Sequence, residues 1–423
     1  MGVVSMEKQM QTFVSTLDKY LTASDIVQSV DGCISCGMCG QACAWFMETG
    51  DEKMHPKNRS DFIRQVFRRY ATVRGKVLGA LGMIPTPTVE DLRKNMSTYW
   101  ACTVCGRCSL PCPAGVSNRR LYRAFRAAYT EAGLAEENPT LKAIIDNTRK
   151  VRHSFGLSRE EVMAKPGLFL GYEDVEMPLD IVGAEYLFVC PAAGNTKIPE
   201  LGIKGMKILN AAGVNYTVSS VVTDTGTEID HIVVHHQLSK ELLEEWEQDA
   251  ERLQVKKVIV AECGCDVRTM YVEATETLGR PFKFPIISID TIWEDLIATG
   301  KIPIEPIDES VTFHDSCYVT RLSGMGEKYR GLLKKITKDF REMTPNMEQN
   351  YCCNGGAGGM RMPENTEIRR KISRLKANQI ADTKADLVTT PCAICYLNMK
   401  DITEVYKQAT PEKRTARMFF EIL

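Results

Sequence analysis

Two stretches decide how this chain is read: Cys33-Ile34-Ser35-Cys36-Gly37-Met38-Cys39-Gly40-Gln41-Ala42-Cys43, and Cys102-Thr103-Val104-Cys105-Gly106-Arg107-Cys108-Ser109-Leu110-Pro111-Cys112, which runs on into Pro113. Both have the spacing Cys-x2-Cys-x2-Cys-x3-Cys. They hold eight of the 16 cysteines in the 423-residue chain. Steps of two let one backbone loop wrap three corners of a cube. The step of three sends the fourth thiolate towards a neighbouring site.

This is the spacing of two [4Fe–4S] cubanes in which each block gives three ligands to one cluster and the fourth to the other. It assigns Cys33, Cys36, Cys39 and Cys112 to one cubane, and Cys102, Cys105, Cys108 and Cys43 to the second. Zinc is the rival reading, but zinc sites are usually built from two Cys-x2-Cys pairs. Ala44 stands where the first block would carry proline.

The surroundings support metal over disulfides. No run of about 18 apolar residues exists to span a bilayer, and Met1–Met10 lacks a basic-then-apolar export pattern. A cytoplasmic, reducing location is therefore expected, where clustered cysteines read as ligands. Net charge is −1, which argues against a nucleic-acid partner. Between Cys43 and Cys102, Phe62, Val66, Phe67 and Tyr70 recur at helical spacing, so the cluster-bearing domain is expected to be helical. From Lys57 to Arg126 there are 14 Lys or Arg against three Asp or Glu. That run reads as a solvated basic face or as a docking surface for an acidic partner. The apolar run Val77–Ile84 reads as core, or as a contact to a membrane partner. Met10, Phe13, Val14, Leu17 and Leu21 predict an amphipathic helix that packs on the ferredoxin module or holds a partner protein.

The second half reads as a diverged duplication. Cys317 lies 127 residues after Cys190, Cys352-Cys353 lies 128 after Asp224-Thr225, and Cys392 and Cys395 lie 130 after Glu262 and Cys265. Strands are expected at Tyr186–Val189, Val258–Val260, Val311–Phe313 and Leu387–Thr389, with the cysteine loops at their carboxyl ends. Ser239 is expected to cap a helix carrying Leu242, Leu243 and Trp246. Ile368, Ile372 and Leu375 share a helical face. In the second copy Gly355, Gly356, Gly358 and Gly359 let the backbone approach closely, and no Lys-Ser/Thr follows to make a phosphate loop. In the first copy, Cys190, Cys263 and Cys265 read as buried small residues or as a remnant site. His235-His236 invites a metal reading, but reads rather as a solvent pair before a helix. The fold expected is thus mixed: an N-terminal helical segment (1–30), an α-helical two-cluster ferredoxin domain (31–150) and two α/β modules (184–300 and 308–423). There is no GxGxxG after a strand, so no flavin or nicotinamide site is expected within this chain.

The pattern Cys317-x34-Cys352-Cys353-x38-Cys392-x2-Cys395 behind a two-cluster module resembles the CCG-domain family. The chain looks like a fusion of the C and B subunits of heterodisulfide reductase, as in the membrane-associated form HdrD. The stretch Phe313-His314-Asp315-Ser316-Cys317 is most similar to the DsrK and TmcB relatives of sulfate reducers. The resemblance implies one noncubane [4Fe–4S] cluster held by Cys317, Cys352, Cys353, Cys392 and Cys395. Asp224, Thr225 and Glu262 break the other set, and Asn354 replaces the usual glycine. It implies an oxidoreductase component of anaerobic respiration acting on a disulfide or trisulfide of a small thiol or sulfur-carrier protein. His314, Asp315 or nearby Lys and Arg would supply protons, though His314 has an alternative role in a hydrogen bond to a cluster sulfur or to the backbone. Implied partners are a membrane cytochrome or quinone-interacting subunit, holding the chain at the inner membrane, and other redox subunits. A relay for a flavin-dependent glycolate, lactate or glycerol-phosphate dehydrogenase, and a zinc-stabilised scaffold, are the competing readings.

Overall fold

The computed structural model describes residues 5–22, 26–164, 175–406 and 415–423. The chain divides into two compact units. The first takes residues 1–142, 232–235 and 356–375; the second takes 143–231, 236–355 and 376–423.

The first unit is helical. Helices Met6–Leu21, Pro56–Ala71, Val89–Ala101 and Asn118–Glu131 carry its core. Met6–Leu21 starts at Ser5, whose side chain accepts from the Lys8 amide, and buries Met10, Phe13, Leu17 and Leu21. Phe13 meets the edge of Phe125, centroids 5.3 Å apart, and Tyr99 stacks on Phe125 at 3.7 Å. The amphipathic N-terminal helix therefore packs on the helix Asn118–Glu131 of the unit that bears the two cysteine blocks. Thr88 and Asp91 form a reciprocal cap at the start of Val89–Ala101, which fixes where that helix runs into Cys102.

Two expectations about this unit are corrected. The run from Val77 to Ile84 is not core: Val77, Leu81 and Met83 are exposed. The basic stretch is not wholly a solvated face, because Arg59, Arg64, Arg107 and Arg126 are buried. Their guanidinium groups satisfy backbone carbonyls, most of them at helix C-termini that leave them unpaired. Arg59 donates to Thr98 O and Met54 O, Arg64 to Val30 O and Ser29 O, and Arg126 to Tyr99 O and Cys102 O. Arg107 Nη1 donates to Ala42 O at 2.9 Å and so ties one cysteine block to the other.

The second unit holds two four-stranded parallel sheets. The strands are β1 (Tyr186–Val189), β2 (Tyr216–Thr217), β3 (Lys257–Val260), β4 (Ile286–Ser288), β5 (Val311–Phe313), β6 (Phe340–Arg341), β7 (Leu387–Thr390) and β8 (Thr415–Met418). Their orders, β2-β1-β3-β4 and β6-β5-β7-β8, are the same, as two copies of one module require. In the first sheet Leu187, Val189, Val258 and Val260 face a core with Leu243 and Trp246. Phe188 and Ile259 face the other side, with Met206 and Trp293. Burial on both faces is what makes these strands continuous apolar runs.

Two boundaries differ from expectation. The helix of Leu242, Leu243 and Trp246 spans His236–Arg252, so Ser239 lies inside it and does not cap it. The helical face of Ile368, Ile372 and Leu375 is broken at Ser373, between Thr366–Ile372 and Arg374–Thr383. Ile372 packs with Trp45 and Ala101.

Candidate metal centres

In the first unit the two cysteine blocks adopt matching backbones. Ser35 and Gly37 have φ of 57° and 77°; Val104 and Gly106 have φ of 47° and 77°. Glycine takes this conformation freely, but Val104 is β-branched and strained there. The reason is local: the turn points the Val104 amide at Cys102 Sγ, 3.4 Å away. Cys33, Cys36, Cys39 and Cys112 line one small cavity together with Lys57. Cys112 Sγ also accepts from the Val116 amide at 3.3 Å. Burial pushes the Cys108 thiol well up, reinforced by charge on Cys43, Cys105 and Cys102. Burial likewise raises Cys43, against the pull of Arg59, whose Nη2 lies 3.6 Å from Cys43 Sγ. Each fourth cysteine thus sits with the triple of the other block. Thiols crowded this way resist ionising unless a metal takes the charge. The donor sets suit thiolate-bound iron.

In the second unit four reactive loops leave the carboxyl ends of strands: Cys190 after β1, Cys263 and Cys265 after β3, His314 to Cys317 after β5, and Cys392 and Cys395 after β7. Cys353 Sγ lies 3.3 Å from Cys395 Sγ. Their sulfurs and a His314 ring nitrogen lie within 4.8 Å of one another. Cys263, Cys265 and Cys392 form a second buried trio within the same limit. Hydrogen bonds from Cys263, Cys265 and Cys395 hold the Cys392 thiol well below its ordinary range. Cys392 also caps the helix Ala393–Val405, whose N-terminal dipole favours a thiolate.

The adjacent pair is positioned by its own loop. The Asn354 amide donates to Cys352 Sγ at 3.2 Å and the Gly355 amide to Cys353 Sγ at 3.3 Å. Asn354 has φ of 71°, so it keeps the left-handed backbone that a glycine would take. Cys317 opens the turn Cys317–Leu322 and is half-buried. It packs at the edge of the core containing Cys263 and Cys265, outside both sulfur trios.

Around these sulfurs, buried polar atoms wait for a partner. His314 Nε2, Ser316 Oγ, Asn354 Nδ2, Thr389 Oγ1 and Thr390 Oγ1 have none among the described residues. Such groups are costly unless satisfied. A metal group rich in acceptor sulfur would satisfy them, so the residues present fit one.

His314 is fixed by neighbours. Its amide donates to Thr389 O at 2.8 Å. Lys376 Nζ donates to Asn350 Oδ1 at 2.7 Å, and Asn350 Nδ2 donates to Asp315 O at 2.8 Å. That orientation aims Asn350 Nδ2 at His314 Nδ1, 3.2 Å away. Nδ1 is then the acceptor, and the ring proton belongs on Nε2. Burial, with Lys376 nearby, holds His314 well below its usual range, so the ring is neutral. Burial also pushes the Lys376 amine down to about 7. Sequence reasoning missed Lys376, Asn350 and the place of Cys263 and Cys265. No motif in the sequence marks the lysine or the asparagine at those positions.

A chain with paired cubane-type cysteine loops in one unit and a buried thiol set at parallel-sheet ends in the other is of the iron–sulfur redox class. Comparison with known proteins gives the same class. Residues 29–116 match the 4Fe-4S dicluster domain, and residues 311–400 match the cysteine-rich CCG domain. The chain is 27% identical to an Hdr-like menaquinol oxidoreductase iron-sulfur subunit of Archaeoglobus profundus, over 86% of this chain and 74% of that protein. It is 24% identical to HdrD, the D component of the dihydromethanophenazine:CoB–CoM heterodisulfide reductase of Methanosarcina barkeri, over 92% of both. It is also 24% identical to FadF, a probable iron-sulfur-binding oxidoreductase of Bacillus subtilis, over 75% of this chain and 45% of that one. The chain is an iron–sulfur electron-transfer component of oxidoreductase type, similar to HdrD. No helix among the described residues is long and apolar enough to cross a membrane.

Proposed function

We propose that the chain is the disulfide-handling iron–sulfur component of a heterodisulfide-reductase-like complex. Cys33, Cys36, Cys39 and Cys112 hold one cubane; Cys102, Cys105, Cys108 and Cys43 hold the other. Cys317, Cys352, Cys353, Cys392 and Cys395 hold a noncubane cluster. When bound, these groups supply electrons singly and an iron able to take a substrate sulfur. The reaction R–S–S–R + 2e⁻ + 2H⁺ → 2 RSH needs just such stepwise delivery; in the opposite direction the same site oxidises thiols.

The protein's own residues do the rest. Asn350 and Lys376 set the His314 ring so that Nε2–H is the donor, and the backbone amides of Asn354 and Gly355 brace the adjacent thiolates. His314 stabilises negative charge on sulfur as a neutral donor; its depressed basicity makes it a poor proton source at neutral pH. The substrate is a disulfide or trisulfide of a small thiol or sulfur-carrier protein. The partner is a membrane cytochrome or quinone-interacting subunit, which would bring the chain to the cytoplasmic face of the inner membrane. The observation that carries the reading is the buried Cys353–Cys395 contact with His314 alongside, ringed by unpartnered polar atoms.

The test uses anaerobically purified protein with a viologen donor and a panel of disulfides and trisulfides. Turnover that disappears in Cys353→Ala, with both cubane signals retained, supports the reading. No turnover with any of them, and copurification with a flavoprotein, would make the chain an electron relay instead.

A further inference from the structure

Three residues of the first module have lost their ligand role, and each now has a structural one. Asp224 accepts from the Ser154 amide at 2.7 Å and the Gly226 amide at 2.8 Å. Thr225 bonds to the Asp266 carboxylate. Glu262 Oε1 accepts from Trp293 Nε1 at 3.0 Å. The module's remaining cysteines behave differently. Cys190 stands apart, its Sγ 2.9 Å from where a Cβ on Gly194 or Gly202 would lie. Cys263 and Cys265 instead reach across to the intact module, where their sulfurs meet Cys392 within 4.8 Å.

Resting on the function proposed above, we infer that Cys263 and Cys265 are further thiolate ligands of the iron–sulfur group bound by Cys392, so that both modules build the third site.

Gly264 shows that the close approach is built in. It lies between the two cysteines, and its φ lies outside the left-handed region, so glycine is not there for its backbone freedom. A Cβ at this position would come 2.5 Å from Ser316 Oγ and 3.1 Å from Cys392 Sγ. Only glycine lets the β3 loop come this near the intact module's loops. The loop then turns at once into the helical residues Gly264–Asp266, with Cys263 as N-cap, which fixes both thiols at the strand end. Three buried thiols in mutual contact gain little as apolar filler, which alanine would supply without a polar S–H. As soft donors at one point they suit iron. On ligation Cys263 and Cys265 each release a thiol proton to solvent.

The experiment compares the anaerobically purified full-length wild type with Cys263→Ser/Cys265→Ser and Cys190→Ala, by iron content and electron paramagnetic resonance. The double variant should keep both cubane signals and lose or reshape the third-site signal, while Cys190→Ala keeps all three. An unchanged third signal in the double variant overturns the inference and leaves the proposed function standing. A wild type with only two clusters overturns both. Iron-edge anomalous density from wild-type crystals gives a second reading that does not depend on the variant folding. Iron bonded to Cys392 Sγ and to at least one of Cys263 or Cys265 supports the inference. Both sulfurs free, or a lone zinc ion held by the trio, contradicts it.

Discussion

Arg330 grips Asp315 with both terminal nitrogens, Nη1 to Oδ1 at 2.8 Å and Nη2 to Oδ2 at 2.9 Å. Both residues are buried. Asp315 also accepts from the Met347 amide at 2.8 Å and from Thr320 Oγ1 at 3.0 Å. One carboxylate therefore holds together the loop between His314 and Cys317 and the segment leading to Cys352.

Removing one partner strands the other charge in the interior. Arg330→Met should cost about 3–5 kcal/mol, seen as a lower denaturation midpoint of the anaerobic protein, with iron lost first from the third site. Loss of less than about 1 kcal/mol would show that the pair is incidental.

His314 should act as a donor. His314→Phe should lower disulfide turnover by ~10²-fold or more and shift the third-site potential to more negative values, because a hydrogen bond to sulfur is lost. His314→Gln keeps an N–H and should recover part of both. Equal behaviour of the two variants, or wild-type behaviour in both, would remove the donor role.

Lys376 should give stability an alkaline slope. Its amine falls to about 7 in the folded protein, chiefly through burial, against about 10.4 unfolded. Between these values the unfolded chain holds the extra proton, so stability rises with pH. Below about 7 both states are protonated and the slope vanishes. Denaturation at pH 7, 8.5 and 9.5 should show wild type gaining on Lys376→Met. Parallel curves would place the amine in a charged, satisfied state.

The N-terminal helix is held by Phe13, which is wholly buried against Phe125. Phe13→Ala should destabilise the first unit by about 3–5 kcal/mol, read from hydrogen exchange in Asn118–Glu131. Unchanged exchange there would mean that the helix is docked by other contacts.

Much of the architecture is legible because its signals are local. The cysteine steps in both blocks, the apolar runs of β1, β3, β5 and β7 and the 127–130-residue offset are all patterns along the chain. Val77–Ile84 misleads because an apolar run records composition, not which side faces solvent. Arg59 and Arg126 mislead because they donate to carbonyls at the C-terminal end of the helix Val89–Ala101, far from both in the chain. Cys263 and Cys265 stay open for the same reason: their neighbour Cys392 is more than 120 residues away, and only the packing of two sheets brings it near. Ser239 reads as a cap because serine favours caps, yet three earlier residues continue the helix.

The central claim is that three iron–sulfur groups sit on these thiols. Iron and acid-labile sulfide in the anaerobically purified protein, measured with electron paramagnetic resonance on wild type and Cys353→Ala, test it most directly. About twelve irons per chain in wild type, falling to about eight in the variant with both cubane signals intact, is the predicted result. About eight in both, with Cys353 and Cys395 open to alkylation after denaturation, would contradict it.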